Sequence, residues 1–338
     1  MFKKNTIMAI TAADVMKLRK MTSAGMMDCK NALEEANGDF DKAVGIIREK
    51  GKLVAAKRAD RETSEGAVKA RIKDGKGILV ALGCETDFVS RNADFQNLAE
   101  AIADTAIANC PADLEALKAC KMADGYTVLE AVEAQTGKTG EKHVLVYYSI
   151  IEAPFVAQYI HTINGKLGAL VGFNKQVPEE LAKGLTMQVA SMNPVSISAA
   201  DCPKETIDNE LKVAIQKTKD EMVQKAIDAA LSKAGINPAH VDSEDHIESN
   251  TAKGWLTPEQ ADQAREIIKT VGEQKAASLN EQMIQNIANG RVQKFLKEST
   301  LEEQEYQMAD EKISVKEAIA KVDKEAKVVA FKRCSLLD

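Results

Sequence analysis

Several groups of residues in this 338-residue chain have types and spacings that could do chemistry. Gly137-Lys138-Thr139 ends like a phosphate-cradling loop. The full pattern needs a further Gly five residues before Gly137, where Val132 stands, and no strand precedes it, so the stretch reads as an ordinary loop. His240, Asp242, Glu244, Asp245 and His246 could gather a metal ion in principle, but their spacing matches no known ligand set and a solvated loop is expected. Six cysteines are scattered with no C-x-x-C pair, the pattern of reduced cytosolic thiols. No Ser or Cys can be matched with a His and an acid. The expectation is a protein that is not an enzyme and carries no metal or cofactor.

Two other places suggest contact rather than catalysis. Met26 and Met27 are adjacent on a helical pattern, and neighbours on a helix lie about 100° apart, so one of the two is expected at the surface. The stretch Cys84-Glu85-Thr86-Asp87-Phe88-Val89-Ser90-Arg91-Asn92 connects a strand to a helix and places a large aromatic beside an acid. An exposed Phe is costly, so Phe88 either tucks under its own subdomain, the reading the residues favour, or enters a partner's pocket.

The elements that must position these residues fall into four parts. Residues 8–51 read as three short helices: Val15 and Leu18 on the first, Cys29, Ala32 and Leu33 on the second, Ala43, Ile46 and Ile47 on the third. Asn37-Gly38 ends the second, and the third is expected to stop at Gly51. A basic, Ala-rich helical linker follows at 52–65, with Lys52, Lys57, Arg58 and Arg61 facing solvent. Gly66–Ile72 alternates with period two, Asp74-Gly75 supplies hairpin chemistry, and Ile78–Leu82 returns. An amphipathic helix ends before Cys110-Pro111. The same order recurs at Val156–His161, Asn164-Gly165, Leu167–Val171 and a helix ending before Asn193-Pro194. Strand, turn, strand, helix, twice, indicates a duplicated core: one subdomain at 66–142, the other at 143–203 and 300–338. Between the pieces of the second, residues 204–299 read as an inserted antiparallel helical coiled-coil hairpin with a polar tip. Its outgoing stripe is Ile207, Leu211, Ile215, Met222 and Ala226, and its return resumes at Leu279, Met283 and Ile287. Ser314-Val315-Lys316-Glu317 is a capping box, and the last strand, Lys327–Cys334, is expected to rejoin the second sheet. The fold class is α+β.

Composition sets outer limits. Apolar residues are 45% and charged residues 28%, which excludes disorder as the main state. The net charge of −6 argues against direct nucleic-acid binding, which needs a concentrated basic face. No apolar run is long enough for a membrane span, the N-terminus is too short for a secretory signal, and a cytoplasmic protein is expected. Met8 reads as a plausible second start, with Met1–Ile7 an extension. Aromatic residues are scarce, so each placed Phe or Tyr counts.

Leu18-Arg19-Lys20-Met21-Thr22-Ser23-Ala24-Gly25-Met26-Met27-Asp28-Cys29-Lys30-Asn31-Ala32-Leu33 and Thr86-Asp87-Phe88-Val89-Ser90-Arg91-Asn92 together resemble the two signatures of bacterial elongation factor Ts, the guanine-nucleotide exchange factor of elongation factor Tu. The resemblance covers nearly the whole chain from Met8. It implies a ubiquitin-associated-like N-terminal domain, a duplicated core and a coiled-coil hairpin. It also implies that Thr86, Asp87, Phe88 and Val89 wedge into the partner's nucleotide-binding domain, with Phe88 in an apolar crevice and Asp87 near the magnesium and phosphates. Arg19, Met26 and Met27 match family positions that touch the same partner domain, and His161 one that faces another part. Ala81 and Gly83 stand where the family usually has Glu and Asn, Gly184 and Gln188 where histidines are common, and Gly235–Gly254 lengthens the hairpin tip. The contrasting reading is a non-catalytic scaffold that binds a peptide through its small helical domain and forms a homodimer through its hairpin.

Overall fold

The computed structural model describes residues 10–22, 24–163 and 165–337. Met8 and the proposed extension, Ser23 and the turn residue Asn164 lie outside the described residues. The structure is mixed helix and sheet with two small antiparallel sheets, the α+β class. It divides into two compact units, one running to Ile197 and resuming at Glu305, the other spanning Ser198–Gln304.

The first unit begins with α1 (Ala12–Thr22), α2 (Met26–Glu35) and α3 (Phe40–Lys57). Val15, Leu18, Cys29, Ala32, Leu33 and Ala43 form their shared core. Asn37 and Gly38 take left-handed backbone angles after α2, and Asp39 caps α3 by accepting from Lys42 N. The expected stop at Gly51 is overturned: α3 runs through it to Lys57. Gly51 serves instead as a close-approach point. A Cβ there would lie 3.2 Å from the Glu133 carbonyl of α7 (Val128–Thr139), and one on Gly137 would lie 2.8 Å from Gly51 Cα. Gly137-Lys138-Thr139 is therefore the end of a helix, not a loop; Thr127 and Glu130 form its capping box and Gly140 its left-handed C-cap.

The first sheet is β1 (Glu65–Lys73), β2 (Lys76–Cys84) and β3 (His143–Glu152), in that order. Asp74 and Gly75 both have positive φ, the geometry a two-residue hairpin turn needs. Beyond β2 lie α4 (Asp87–Ser90), α5 (Ala93–Asn109) and α6 (Leu114–Ala119), before α7. The boundary drawn at 142/143 is corrected: β3 pairs with β2 from His143↔Cys84 to Lys76↔Glu152, so this segment completes the first sheet. Its register depends on a strand 59 to 76 residues back along the chain, which strand periodicity does not encode. The second sheet is β4 (Phe155–Ile160), β5 (Leu167–Phe173) and β6 (Val328–Ser335). The helix α8 (Glu179–Met192) packs on it. The copies agree in detail: α5 and α8 both end in a left-handed residue before a proline, Cys110 and Asn193.

The central strand β2 is buried along nearly its whole length. Ile78, Val80 and Leu82 face α5, where Phe95, Ala99 and Ile102 meet them. Leu79 and Ala81 face the other way, onto Val156 and Leu170 of the second sheet. Glycines let the sheets approach: a Cβ on Gly77 would lie 2.7 Å from Val156 Cγ1, and one on Gly168 2.9 Å from Val68 Cγ1.

In the second unit, α9 (Lys204–Lys233) is followed by α10 (Glu244–Ala252), α11 (Pro258–Ala277) and α12 (Glu281–Ser299). Ile227 and Leu231 of α9 share a core with Ala261 and Ala264, while Leu211 and Ile207 meet Val292 and Leu296, an antiparallel order. The expected stripe on α9 holds at Ile207 and Leu211, with its most buried positions beside it, and the stripe on α12 shifts. On α9 the buried residues are Ala214, Thr218, Ile227 and Leu231. On α12 they are Ile284, Ala288, Val292 and Leu296, while Met283 and Ile287 are exposed. The helix break before Asn280, which caps α12, resets the phase. The tip exposes Asp242, Glu244, Asp245 and His246, but it is not merely a solvated loop: Ile236, Val241, Ile247 and Leu256 bury together. The chain re-enters the first unit, forms α13 (Val315–Val322) behind the Ser314–Glu317 capping box, and ends with β6.

Candidate functional site

The strand-to-helix connection after β2 is a built platform. Thr86 caps the single turn α4. Its Oγ1 donates to Glu141 Oε1 at 2.8 Å, and its backbone N donates to Glu141 Oε2 at 3.1 Å. Glu85 accepts from Lys142 N at 2.6 Å and from Arg58 Nη1 at 3.1 Å. The Lys142 N–H, with the Arg58 guanidinium behind it, holds the Glu85 carboxyl below its usual range. On the far side Ser90 is buried, its carbonyl accepts from Gln96 Nε2 at 2.6 Å, and Asn92 caps α5. Cys84, at the root of the connection, is fully buried; burial, with the Glu141 and Glu65 charges, pushes its thiol up to about 12, so it stays protonated at neutral pH.

On this platform Val89 turns in against the first core while Phe88 stands 85% exposed. The reading in which Phe88 tucks under its own subdomain is thereby overturned. A one-turn helix has only one inward face, and Val89 and Ser90 occupy it. Asp87 pairs with Arg91 at 3.3 Å, one turn along. Both side chains are substantially exposed, and such a pair is worth roughly 0–1 kcal/mol, so Asp87 is free to exchange it for another cation.

The remaining sequence-derived residues lie on separate elements. Arg19 is exposed near the end of α1. Met26 and Met27 open α2 at 41% and 64% exposure, so both face outward rather than one. The reason is position: in the first turn neither has a preceding turn to pack on, and Cys29 is the first buried side chain of α2. His161, just beyond β4, is half-buried with Nδ1 2.9 Å from Tyr159 Oη. Arg58 was expected to face solvent but is tied to Glu85. Glu141 and Lys142 were not anticipated, because their role arises from a contact 55 residues or more away along the chain.

Gly184 and Gln188 also acquire a structural account. A Cβ on Gly184 would sit 2.0 Å from Tyr306 Oη. Gln188 is 1% exposed, donates to the Glu305 carbonyl at 3.1 Å and accepts from Gln307 N at 3.1 Å. The two positions clamp the segment 305–308 onto α8.

An α+β chain that holds an apolar side chain out on a braced turn has the build of a binding protein. Comparison with known proteins gives the particular family. Residues 85–336 match the family model described as Elongation factor TS. Elongation factor Ts of Bacteroides fragilis is 55% identical over 329 residues, 97% of this chain and 99% of that protein. The same-named protein of Bacteroides thetaiotaomicron is 54% identical and that of Porphyromonas gingivalis 37%, over the same shares of each chain. This chain belongs to the elongation factor Ts family. Among the described residues, no helix is long and apolar enough to cross a membrane.

Proposed function

We propose that this chain is a cytoplasmic guanine-nucleotide exchange factor that promotes GDP release from elongation factor Tu during translation elongation. The observation that carries the reading is Phe88, 85% exposed on a turn braced at both ends. In the proposed mechanism Thr86–Val89 wedges into the partner's nucleotide-binding domain. Phe88 fills an apolar crevice, and Asp87 leaves Arg91 to act beside the magnesium and phosphates, loosening Mg²⁺ coordination and with it GDP. No covalent bond forms or breaks. The energetics are linkage: a factor that binds the empty partner more tightly than the GDP-bound one weakens GDP by the same ratio. Burying one Phe contributes roughly 1.5–3 kcal/mol, and each tenfold in rate needs about 1.4 kcal/mol, so Phe88 accounts for about one or two powers of ten.

The other parts are proposed to keep the wedge on target. The three-helix domain contacts the same partner domain through Arg19, Met26 and Met27, and the second core subdomain reaches another part through His161. Since Gly184 and Gln188 are engaged with their own chain's 305–308 segment, contact through that stretch of α8 is not part of the proposal. Release of a fluorescent GDP analogue from elongation factor Tu is the test. The chain should accelerate it, and Phe88→Ala should slow the accelerated rate by about tenfold to a hundredfold at unchanged melting temperature. If Phe88→Ala exchanges at the wild-type rate, the wedge is wrong. If the wild-type chain leaves release unchanged, the scaffold and dimerisation reading takes over.

A further inference from the structure

Resting on the exchange reading, we propose that Glu141 is the positioning residue of the wedge: a fixed post that sets the direction of Phe88 by holding Thr86. Three observations converge on it. Its carboxylate takes both donors that Thr86 offers, Oγ1 at 2.8 Å and the backbone N at 3.1 Å. Its own backbone is immobilised on both sides, for Glu141 N donates to Thr139 Oγ1 at 3.2 Å and its carbonyl accepts from His143 Nδ1 at 2.9 Å. His143 is in turn locked, its ring buried against Phe95 and its backbone N donating to Thr136 Oγ1 at 3.0 Å. The next residue along, Lys142, adds the backbone bond to Glu85.

A single helical turn does not hold itself together, because nucleation costs more than one hydrogen bond returns. The turn that carries Phe88 therefore borrows its rigidity from the strand start at Glu141–His143. The Thr86 hydroxyl links the two: its oxygen accepts from Val89 N at 3.5 Å while its proton goes to Glu141. Without that carboxylate Thr86 can rotate, and the cap and the aim of Phe88 go together. Glu141 need not touch the partner. It acts through the orientation of a side chain that does, which lowers the cost of ordering the loop when the factor, already bound, inserts Phe88.

The test separates orientation from stability. Glu141→Ala should lower the saturating GDP-release rate about tenfold, the factor that 1.4 kcal/mol commands, while the chain concentration at half-saturation changes less than about threefold. Glu141→Gln, which keeps an oxygen acceptor, should recover most of the rate. In a Phe88→Ala background Glu141→Ala should add nothing, because there is no wedge left to aim. Independently of any partner, hydrogen exchange at the Ser90 and Arg91 amides of the free chain should quicken about tenfold in Glu141→Ala. Should Glu141→Ala prove unfolded, Thr86→Val removes the same hydroxyl bond from the other end and should also slow release. A Glu141→Ala chain with the wild-type saturating rate, or one whose loss persists in full in the Phe88→Ala background, overturns the proposal. So do loop amides that remain as protected as in the parent. Absence of any acceleration by the wild-type chain would reject the exchange reading instead, and the amide measurement would still judge the anchor.

Discussion

Phe88 stands against the general economy of the residues around it. In a chain with 14 aromatic residues, most are at least partly covered, whereas this one is held out at 85% exposure by the bonds to Thr86 and Ser90. The converse holds at Gln188, a polar side chain buried completely and satisfied at both ends by backbone. Gln188→Ala should lower stability by about 1–3 kcal/mol, since the Gln307 N–H is left without its acceptor. A denaturant midpoint equal to that of the parent would show that segment 305–308 does not need the clamp. His143 gives a pH signature. Burial holds its imidazole below the ordinary 6.5, against the pull of the Glu141 carbonyl and of the Glu141 and Glu85 charges. The unfolded chain therefore binds this proton at a higher pH than the folded one, and stability falls as pH drops below about 6.5 towards the folded value. His143→Gln should flatten that decline between about pH 7 and pH 5, read from urea midpoints. An identical slope in both proteins would remove His143 from the account.

At the scale of elements, the decisive contacts are close approaches that only missing side chains permit. The α3–α7 crossing at Gly51 and Gly137 fastens the helical domain to the first core. Gly137→Val places two methyl groups and a Cβ where Gly51 Cα already lies 2.8 Å away. Overpacking of this kind costs about 1–3 kcal/mol. The expected result is faster amide exchange along α1 to α3 with β2 unaffected; equal protection throughout would mean that the crossing can slide without cost.

For the molecule as a whole, the two units each carry their own core. Leu256 is buried in the tip core of the second unit with Ile236, Val241 and Ile247. Leu256→Ala should cost about 2–5 kcal/mol and appear as a lowered unfolding transition of that unit, with the transition of the first unit in place. A uniform shift of a single transition would show instead that the units unfold together. Since Leu256 is remote in sequence from Thr86–Val89, the proposed acceleration of GDP release from elongation factor Tu is expected to be the same in this variant.

Much of this architecture is written in local chemistry. The period-two runs, the Asp74-Gly75 turn, the capping box at Ser314 and the repeated order of elements are each set by a few adjacent residues, so the linear chain displays them. The residues proposed to form a wedge, Thr86–Val89, are legible for the same reason, as a contiguous stretch inside the region that matches the family. What the linear order could not display depends on distant partners. The pairing of β3 with β2, the passage of α3 through Gly51 and the phase of the stripe on α12 all answer to neighbours supplied by packing. Whether Phe88 points inward or outward is of that kind too. Val89 and Ser90 take the inward face, and the turn that carries them is anchored through Thr86 to a carboxylate 55 residues away in sequence, a contact that exists only once the sheet has brought Cys84 opposite His143.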